Sequence, residues 1–479
     1  MLTRSATALA REIRTGRLRS SEVVEAHIQR VEDINPRLNA LVATRFEEAR
    51  AEAKAADDRL DAEGPDGLPP LHGVPCTIKE CFALTGMPQS SGLPARKDVI
   101  SDRDATTVAR LRAAGAIPLG VSNLSELCMW MESSNPVYGR TNNPYDPTRI
   151  VGGSSGGEGA IIAAGGSPFG LGSDIGGSIR MPAFFNGVFG HKPTGGMVPG
   201  SGQHPLAENE ALRYLTTGPL TRRAEDLFPL LEILAGPDGE DEGVLEFELG
   251  NPANVDVSTL RVVIVESNGF RSVSKPLRAS LEKAGNALAQ AGATVEILKL
   301  PALKQSLQIW AAKLTAANGT PFRNLMGEGE PLSLWRSIGP ALFSRKGHTL
   351  PAVALSFFES LSWLVRADDP KILEAGDALR HEVLDAIGPH GVLLFPPYTR
   401  TAPRHGRPIL TPFDWTYTAI WNVLENPVTS VPMGLDAQGL PLGIQVVGRH
   451  GHDHVPIAVA EFLENALGGW VPPWAVGRP

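Results

Sequence analysis

Two Gly-flanked serine clusters hold the residues of this chain best suited to covalent chemistry. The first is Gly152-Gly-Ser-Ser-Gly-Gly157 and the second is Gly172-Ser-Asp-Ile-Gly-Gly-Ser-Ile-Arg180. Glycines on both sides of a serine open backbone conformations closed to other residues and let a substrate approach closely. Along Asp174-Ile175-Gly176-Gly177-Ser178, successive backbone N–H groups can form a nest for an oxyanion. The chemistry suggested is acyl transfer through a serine nucleophile, with Ser154 and Ser178 as the serines that matter. By itself a Gly-Ser run is a flexible linker. Here the first cluster runs directly into Glu158-Gly-Ala-Ile-Ile-Ala-Ala164, which reads as a packed helix. The second follows Phe169-Gly-Leu-Gly172, which reads as a short buried strand.

A serine nucleophile needs a base. Neither cluster fits the Gly-x-Ser-x-Gly elbow that goes with a histidine partner, and His191 in Phe189-Gly-His-Lys-Pro193 reads as structural. Lys79 ends the apolar, strand-like run Val74-Pro-Cys-Thr-Ile-Lys79. A lysine at a strand end is ordinarily a solvated charge. Buried, its ammonium is disfavoured, and a neutral amine accepts protons.

In this order and in these contexts, Lys79, Ser154 and Ser178 resemble the amidase signature family with its Ser–cisSer–Lys triad. Gly152-Gly-Ser-Ser-Gly-Gly157, Gly172-x-Asp-x-Gly-Gly-Ser-Ile-Arg-x-Pro182 and Gly190-x-Lys-Pro-Thr194 carry the likeness in register. Glu158, Lys79-Glu-Cys-Phe82 and Ser134-Asn-Pro136 resemble the fatty-acid amide hydrolase branch. Leu127-Cys-Met-Trp130, Asn142-Asn-Pro-Tyr145, Met181-Pro-Ala-Phe-Phe-Asn186 and Gly439-Leu-Pro-Leu-Gly-Ile-Gln-Val-Val447 look like its second paralogue. The likeness runs from about residue 5 to 470 and is thinnest over 240–380.

The resemblance implies a relay in which neutral Lys79 takes a proton from Ser154, Ser154 takes one from Ser178, and Ser178 attacks an amide carbonyl. The N–H groups of Ile175, Gly176, Gly177 and Ser178 would hold the oxyanion. Asp174 and Arg180 would act as structural partners, and Ser155 would be hydrogen-bonded near Lys79. It also places Cys128, Met129 and Trp130 in the acyl-pocket wall, although these residues read equally as core packing. No metal or organic cofactor is needed. The substrate is a small amide with an apolar acyl or aryl group. A carbamate (urethane) or ester would suit the same chemistry. A glutamine-dependent tRNA amidotransferase A-type subunit shares the fold and triad. Glu158 and the aromatic-rich stretch 303–365 argue against that subunit.

The elements that must position these residues read as an α/β fold. Strands at 74–79, 116–122 and 169–172 alternate with helices. The rhythm and the resemblance together imply a large mixed, mostly parallel central sheet covered by helices on both faces. The chain reads as one domain. It has N-terminal helices over 1–65, a catalytic core over 66–235, a variable helical or lid insert with added strands over 240–385, and C-terminal core strands and a helix over 386–479. Ser21 is the expected N-cap of a helix ending near Pro36, and 39–60 reads as a second helix. Residues 195–215 read as a loop bordering the substrate entrance, with Tyr214 facing it. Trp310, Phe322, Leu325, Trp335, Phe343, Phe357, Phe358 and Trp363 fall in 303–365. They read as a helical layer on the sheet, or more sharply as a lid that touches apolar surfaces.

Composition narrows the class. The chain has 479 residues, a net charge of −8 and 42% hydrophobic residues. No basic patch supports a nucleic-acid partner. No stretch approaches about 18 uninterrupted apolar residues, so neither a transmembrane helix nor a signal peptide is expected. Three cysteines, Cys76, Cys81 and Cys128, are too few and too irregular for a disulfide framework. They fit a reducing, cytoplasmic setting. The chain is expected to work as a monomer or homodimer.

Overall fold

The computed structural model describes residues 1–327, 329–333, 347–359 and 369–476. Its backbone is one eleven-stranded sheet plus a two-stranded ribbon. In chain order the strands are β1 (Leu41–Thr44), β2 (Val74–Lys79), β3 (Ala116–Ser122), β4 (Ser134–Asn135), β5 (Gly139–Arg140), β6 (Phe169–Asp174), β7 (Phe189–Lys192), β8 (Thr216–Thr221), β9 (Arg261–Ile264), β10 (Thr294–Ile297), β11 (Gly391–Phe395), β12 (Val428–Leu435) and β13 (Pro441–Val447). The sheet order is β1-β3-β2-β6-β8-β7-β12-β13-β11-β9-β10, with β4 and β5 pairing apart from it.

The sheet is mixed, as the sequence implies. Its parallel ladders lie in the two wings, β3-β2-β6 and β11-β9-β10. The strands between the wings run antiparallel. The parallel wings come from strands with intervening helices, whereas β8 runs antiparallel to both β6 and β7.

Alternate residues of single strands enter two different cores. Val262, Ile264, Val392 and Leu394 join one cluster, and Val263, Val265, Leu393 and Phe395 join the other. This period-2 division shows both faces covered. It also explains why β2, β3 and β6 are buried along their whole lengths and read as continuous rather than alternating runs.

The N-terminal segment departs from the sequence reading. The helix spans Ser20–Leu38 and includes Pro36, so Ser21 is not its N-cap. Asp57 of the next helix takes the first free amides instead. The N–H groups of Ser20 and Ser21 donate to its carboxylate at 2.6 and 3.1 Å. The expected helix over 39–60 gives up its start to β1 and runs Phe46–Glu63. β1 exists because it pairs with β3, a tertiary contact with no local signature.

Candidate active site

Lys79 is the last residue of β2, and its side chain is fully buried. Its Nζ donates to Ser154 Oγ at 2.7 Å and to Ser173 Oγ at 3.0 Å. Ser154 follows a cis Gly153–Ser154 peptide bond and is also fully buried. Close backbone packing requires Gly153, because a Cβ there would stand 2.2 Å from the Trp130 carbonyl oxygen. Ser155 donates its N–H to the Ser178 carbonyl at 3.1 Å and its hydroxyl to the Ser173 carbonyl at 3.3 Å. These bonds join the two serine clusters. Ser178 is 8% exposed, whereas Lys79 and Ser154 are 0%. All three residues are buried, and Ser178 alone keeps a small exposure.

The loop before Ser178 is held from beneath. Burial alone would raise the Asp174 carboxyl. The Arg180 guanidinium and bonds from Ile179 N–H and Asn422 override it and hold the group well below the usual carboxylate range. Arg180 Nε and Nη2 grip Asp174 at 3.0 and 2.9 Å. The rest of the guanidinium donates to the Thr418 carbonyl, Gln445 Oε1 and Asn422 Oδ1. Both ions are fully buried, so the pair is favourable only because nearly every donor is used.

Gly177 has φ +119°, and a Cβ there would lie 2.1 Å from Thr418 Oγ1. Of the four N–H groups expected in the nest, that of Gly177 turns back to Asp174 Oδ1 at 2.6 Å. The carbonyl of Ile175 accepts from Trp310 Nε1 at 2.9 Å, and that of Gly176 from Thr418 Oγ1 at 2.6 Å. These bonds hold the carbonyl oxygens of the turn on helix-borne donors.

The predicted pocket residues fall in two places. Leu127 and Cys128 both have positive φ, at 48° and 60°, a conformation rare for side chains of their kind. Cys128, Met129 and Trp130 are half-buried, and the Cys128 thiol lies within reach of Lys79, Ser154 and Cys81. All three thiols are free. Tyr214, by contrast, sits 2% exposed in a core cluster, on the short helix Ala211–Tyr214 within the stretch expected to be loop. Its backbone carbonyl accepts from Asn422 Nδ2. Trp310 meets Trp415 edge-to-face at 4.7 Å beside Ile175 and Gly176. Of the other aromatics of that region, Phe322 is buried and Phe357 half-exposed. Trp335, Phe343, Trp363 and the Phe358 side chain lie outside the described residues.

Sequence reasoning missed Ser173, Thr418, Asn422 and Gln445. Ser173 was within reach of a pattern argument. β2 and β6 pair in parallel, so a serine near the end of β6 stands beside the end of β2. The other three come from segments more than 200 residues away, where no local spacing points to them. His191 is structural, as read. It is fully buried between Thr429 Oγ1 and Asp453 Oδ1, at 2.9 and 3.1 Å.

Comparison with known proteins supplies the family. The Amidase family profile matches residues 22–455. The chain belongs to the amidase signature family. It is similar to fatty-acid amide hydrolase 2-A of Danio rerio, with 45% identity over 99% of this chain and 90% of the relative. It is also similar to fatty-acid amide hydrolase 2 of Homo sapiens, with 44% identity over 99% of this chain and 91% of that one. Among solved structures, a bacterial aryl acylamidase of the amidase signature family superposes with a TM-score of 0.81. That match has 26% identity and covers 99% of each chain. This amidase is accordingly a hydrolase acting on amide bonds. No helix among the described residues is long and apolar enough to cross a membrane.

Proposed function

We propose that this amidase cleaves amides of apolar acyl or aryl acids through an acyl-enzyme on Ser178. The observation that carries the reading is the 2.7 Å contact between Lys79 Nζ and Ser154 Oγ, both wholly buried, with the next residue, Ser155, bonded to the Ser178 carbonyl. With the amine neutral, the Ser154 hydroxyl donates to Nζ and is free to accept the Ser178 proton. Ser178 Oγ attacks the carbonyl carbon. The N–H groups of Ile175, Gly176 and Ser178 face the developing oxyanion, while Gly177 N–H, bound to Asp174, holds the turn. Losing one such donor costs about 10²–10³ in rate. Ser154 then passes its proton to the departing nitrogen, which is what lets an amide rather than only an ester be cleaved. Water releases the acid by the same relay.

Trp130, Trp310 and Trp415, partly buried against one apolar cluster, supply an apolar wall in this reading. That wall and the names of the relatives support fatty-acyl and aryl amides as substrates. Carbamates and esters present the same carbonyl to the same nucleophile. The cytoplasm is the compartment this reading assigns, in keeping with three free thiols.

Intact-mass spectrometry after exposure to a fluorophosphonate probe tests the assignment. The wild type takes one adduct, Ser178→Ala takes none, and Lys79→Ala labels slowly. Equal labelling of Ser178→Ala would mean that another serine is the nucleophile.

A further inference from the structure

Glu158 is a buried acid that the relay leaves unused. It lies in the first turn of the helix Gly156–Ala163, just after Ser154 and Ser155, and its side chain is fully buried. Its Oε2 accepts from Thr77 Oγ1 at 2.5 Å. The Ser122 hydroxyl is the other polar side chain at this carboxyl, and neither it nor Oε1 has a well-aligned partner. Thr77 stands two residues before Lys79 on β2, and Ser122 of β3 is the register partner of Lys79. On the other side, a Cβ at Gly170 of β6 would lie 1.8 Å from Oε2, so the carboxyl rests against bare backbone. Glu158 thus touches the strand that carries the base, from the helix that follows the serine pair.

The contrast with Asp174 is chemical. Asp174 is ionised among a guanidinium, backbone N–H groups and an amide. Glu158 has only uncharged hydroxyls about it, Thr77 bonded to one oxygen and Ser122 beside it, with no cation bonded to it and no backbone N–H. A carboxylate buried so sparsely is costly, and the group escapes the cost by keeping its proton. The titratable groups near it are Lys79 and Cys76, both on β2. The Lys79 donors go to Ser154 and Ser173 instead. Ser122 and Ser173, on the flanking strands, carry no charge. Burial pushes the Glu158 carboxyl up to about 7.

Building on the serine–lysine reading above, we propose that Glu158 is held as a neutral carboxylic acid and acts as a positioning residue. It ties the serine-bearing helix to the lysine-bearing strand without giving Lys79 a buried counter-ion. An anion at that place would favour the ammonium, and an ammonium cannot accept the Ser154 proton.

The test combines an infrared difference spectrum, wild type minus Glu158→Gln, with pH–rate profiles. The spectrum is recorded at about pH 6, above the ordinary range of glutamate. The profiles use a nitroanilide of a medium-chain fatty acid and compare wild type, Glu158→Gln and Glu158→Ala. The expected results are a carboxylic-acid C=O band in the difference spectrum and a glutamine variant within a few-fold of wild-type kcat with its acid limb unmoved. The alanine variant, still folded by circular dichroism, should lose roughly 10–100-fold in kcat. A missing band, a glutamine variant whose acid limb moves to lower pH, or an alanine variant with full kcat overturns the proposal. Fluorophosphonate labelling of the same wild-type protein separates the two readings. An adduct on Ser178 without the band overturns this proposal alone. The band without an adduct overturns the relay and with it the positioning role.

Discussion

At the scale of single residues, the Arg180–Asp174 pair decides whether the loop before Ser178 has one shape. The guanidinium reaches five acceptors on three segments of chain, so no smaller cation can replace it. Arg180→Met leaves Asp174 buried without its cation. The expected loss at neutral pH is about 3–5 kcal/mol of stability, read by chemical denaturation. The pH dependence has a definite sign. Asp174 is held below the usual carboxylate range, so its contribution is complete above about pH 4, the unfolded value, and is lost as pH falls through the lower folded one. The gap between wild type and Arg180→Met should therefore narrow in acid, where a protonated Asp174 no longer needs a cation. A constant gap down to pH 2 would mean that Asp174 is not the group that Arg180 serves.

At the scale of elements, the turn between β6 and the short helix Arg180–Phe185 is set by glycine. Gly177→Ala meets both a positive φ and the Thr418 hydroxyl. Strain of that kind costs about 1–3 kcal/mol before any clash is counted. The variant should keep its circular dichroism spectrum and lose fluorophosphonate labelling at Ser178. Unchanged labelling would show that the turn tolerates a shift. This is also the scale at which sequence reading succeeds and fails. β2, β3 and the helix Gly156–Ala163 were legible because their apolar runs are bounded by glycine, proline and polar residues. Lys79, Ser154 and Ser178 were legible because each sits in a short, dense motif. β1, β7, β8 and β12 were not, since each becomes a strand through partners distant in the chain. The glycine-rich turn of the proposed oxyanion nest was legible as a composition. The diversion of Gly177 N–H to Asp174 was not, because it depends on a carboxylate orientation fixed by Arg180 and Asn422. Tyr214 was expected at an entrance because its surroundings are polar and glycine-rich. Tertiary packing puts it in a core instead.

At the scale of the whole molecule, the segment Leu127–Trp130 and the helix Leu350–Glu359 are strapped together by Glu126. This buried carboxylate lies two residues before Cys128. It accepts from His348 Nδ1 at 2.6 Å, and from the N–H and hydroxyl of Thr349 at 2.8 Å each. Those groups precede the helix Leu350–Glu359, whose Ala352 and Val353 pack with Leu127 in one apolar cluster. Glu126→Ala removes a helix-end acceptor worth about 0.5–2 kcal/mol. Hydrogen exchange over Leu350–Glu359 should quicken, and KM for a long-chain anilide should rise, while a small fluorophosphonate labels Ser178 at the wild-type rate. Unchanged exchange would show that the apolar cluster alone holds the helix.

The order of the strands bears on how the protein is made. Among the described residues β13 is the last strand, and it lies between β12 and β11, where it joins the β11-β9-β10 wing to the rest of the sheet. On a translating ribosome, β11 and β12 are therefore exposed edges until residue 447 has cleared the exit tunnel. A message cut short before residue 441 yields two part-sheets with open edges, the kind of surface that pairs with other chains. Such fragments should collect in the insoluble fraction, so closure of the sheet depends on residues 441–447 having been made.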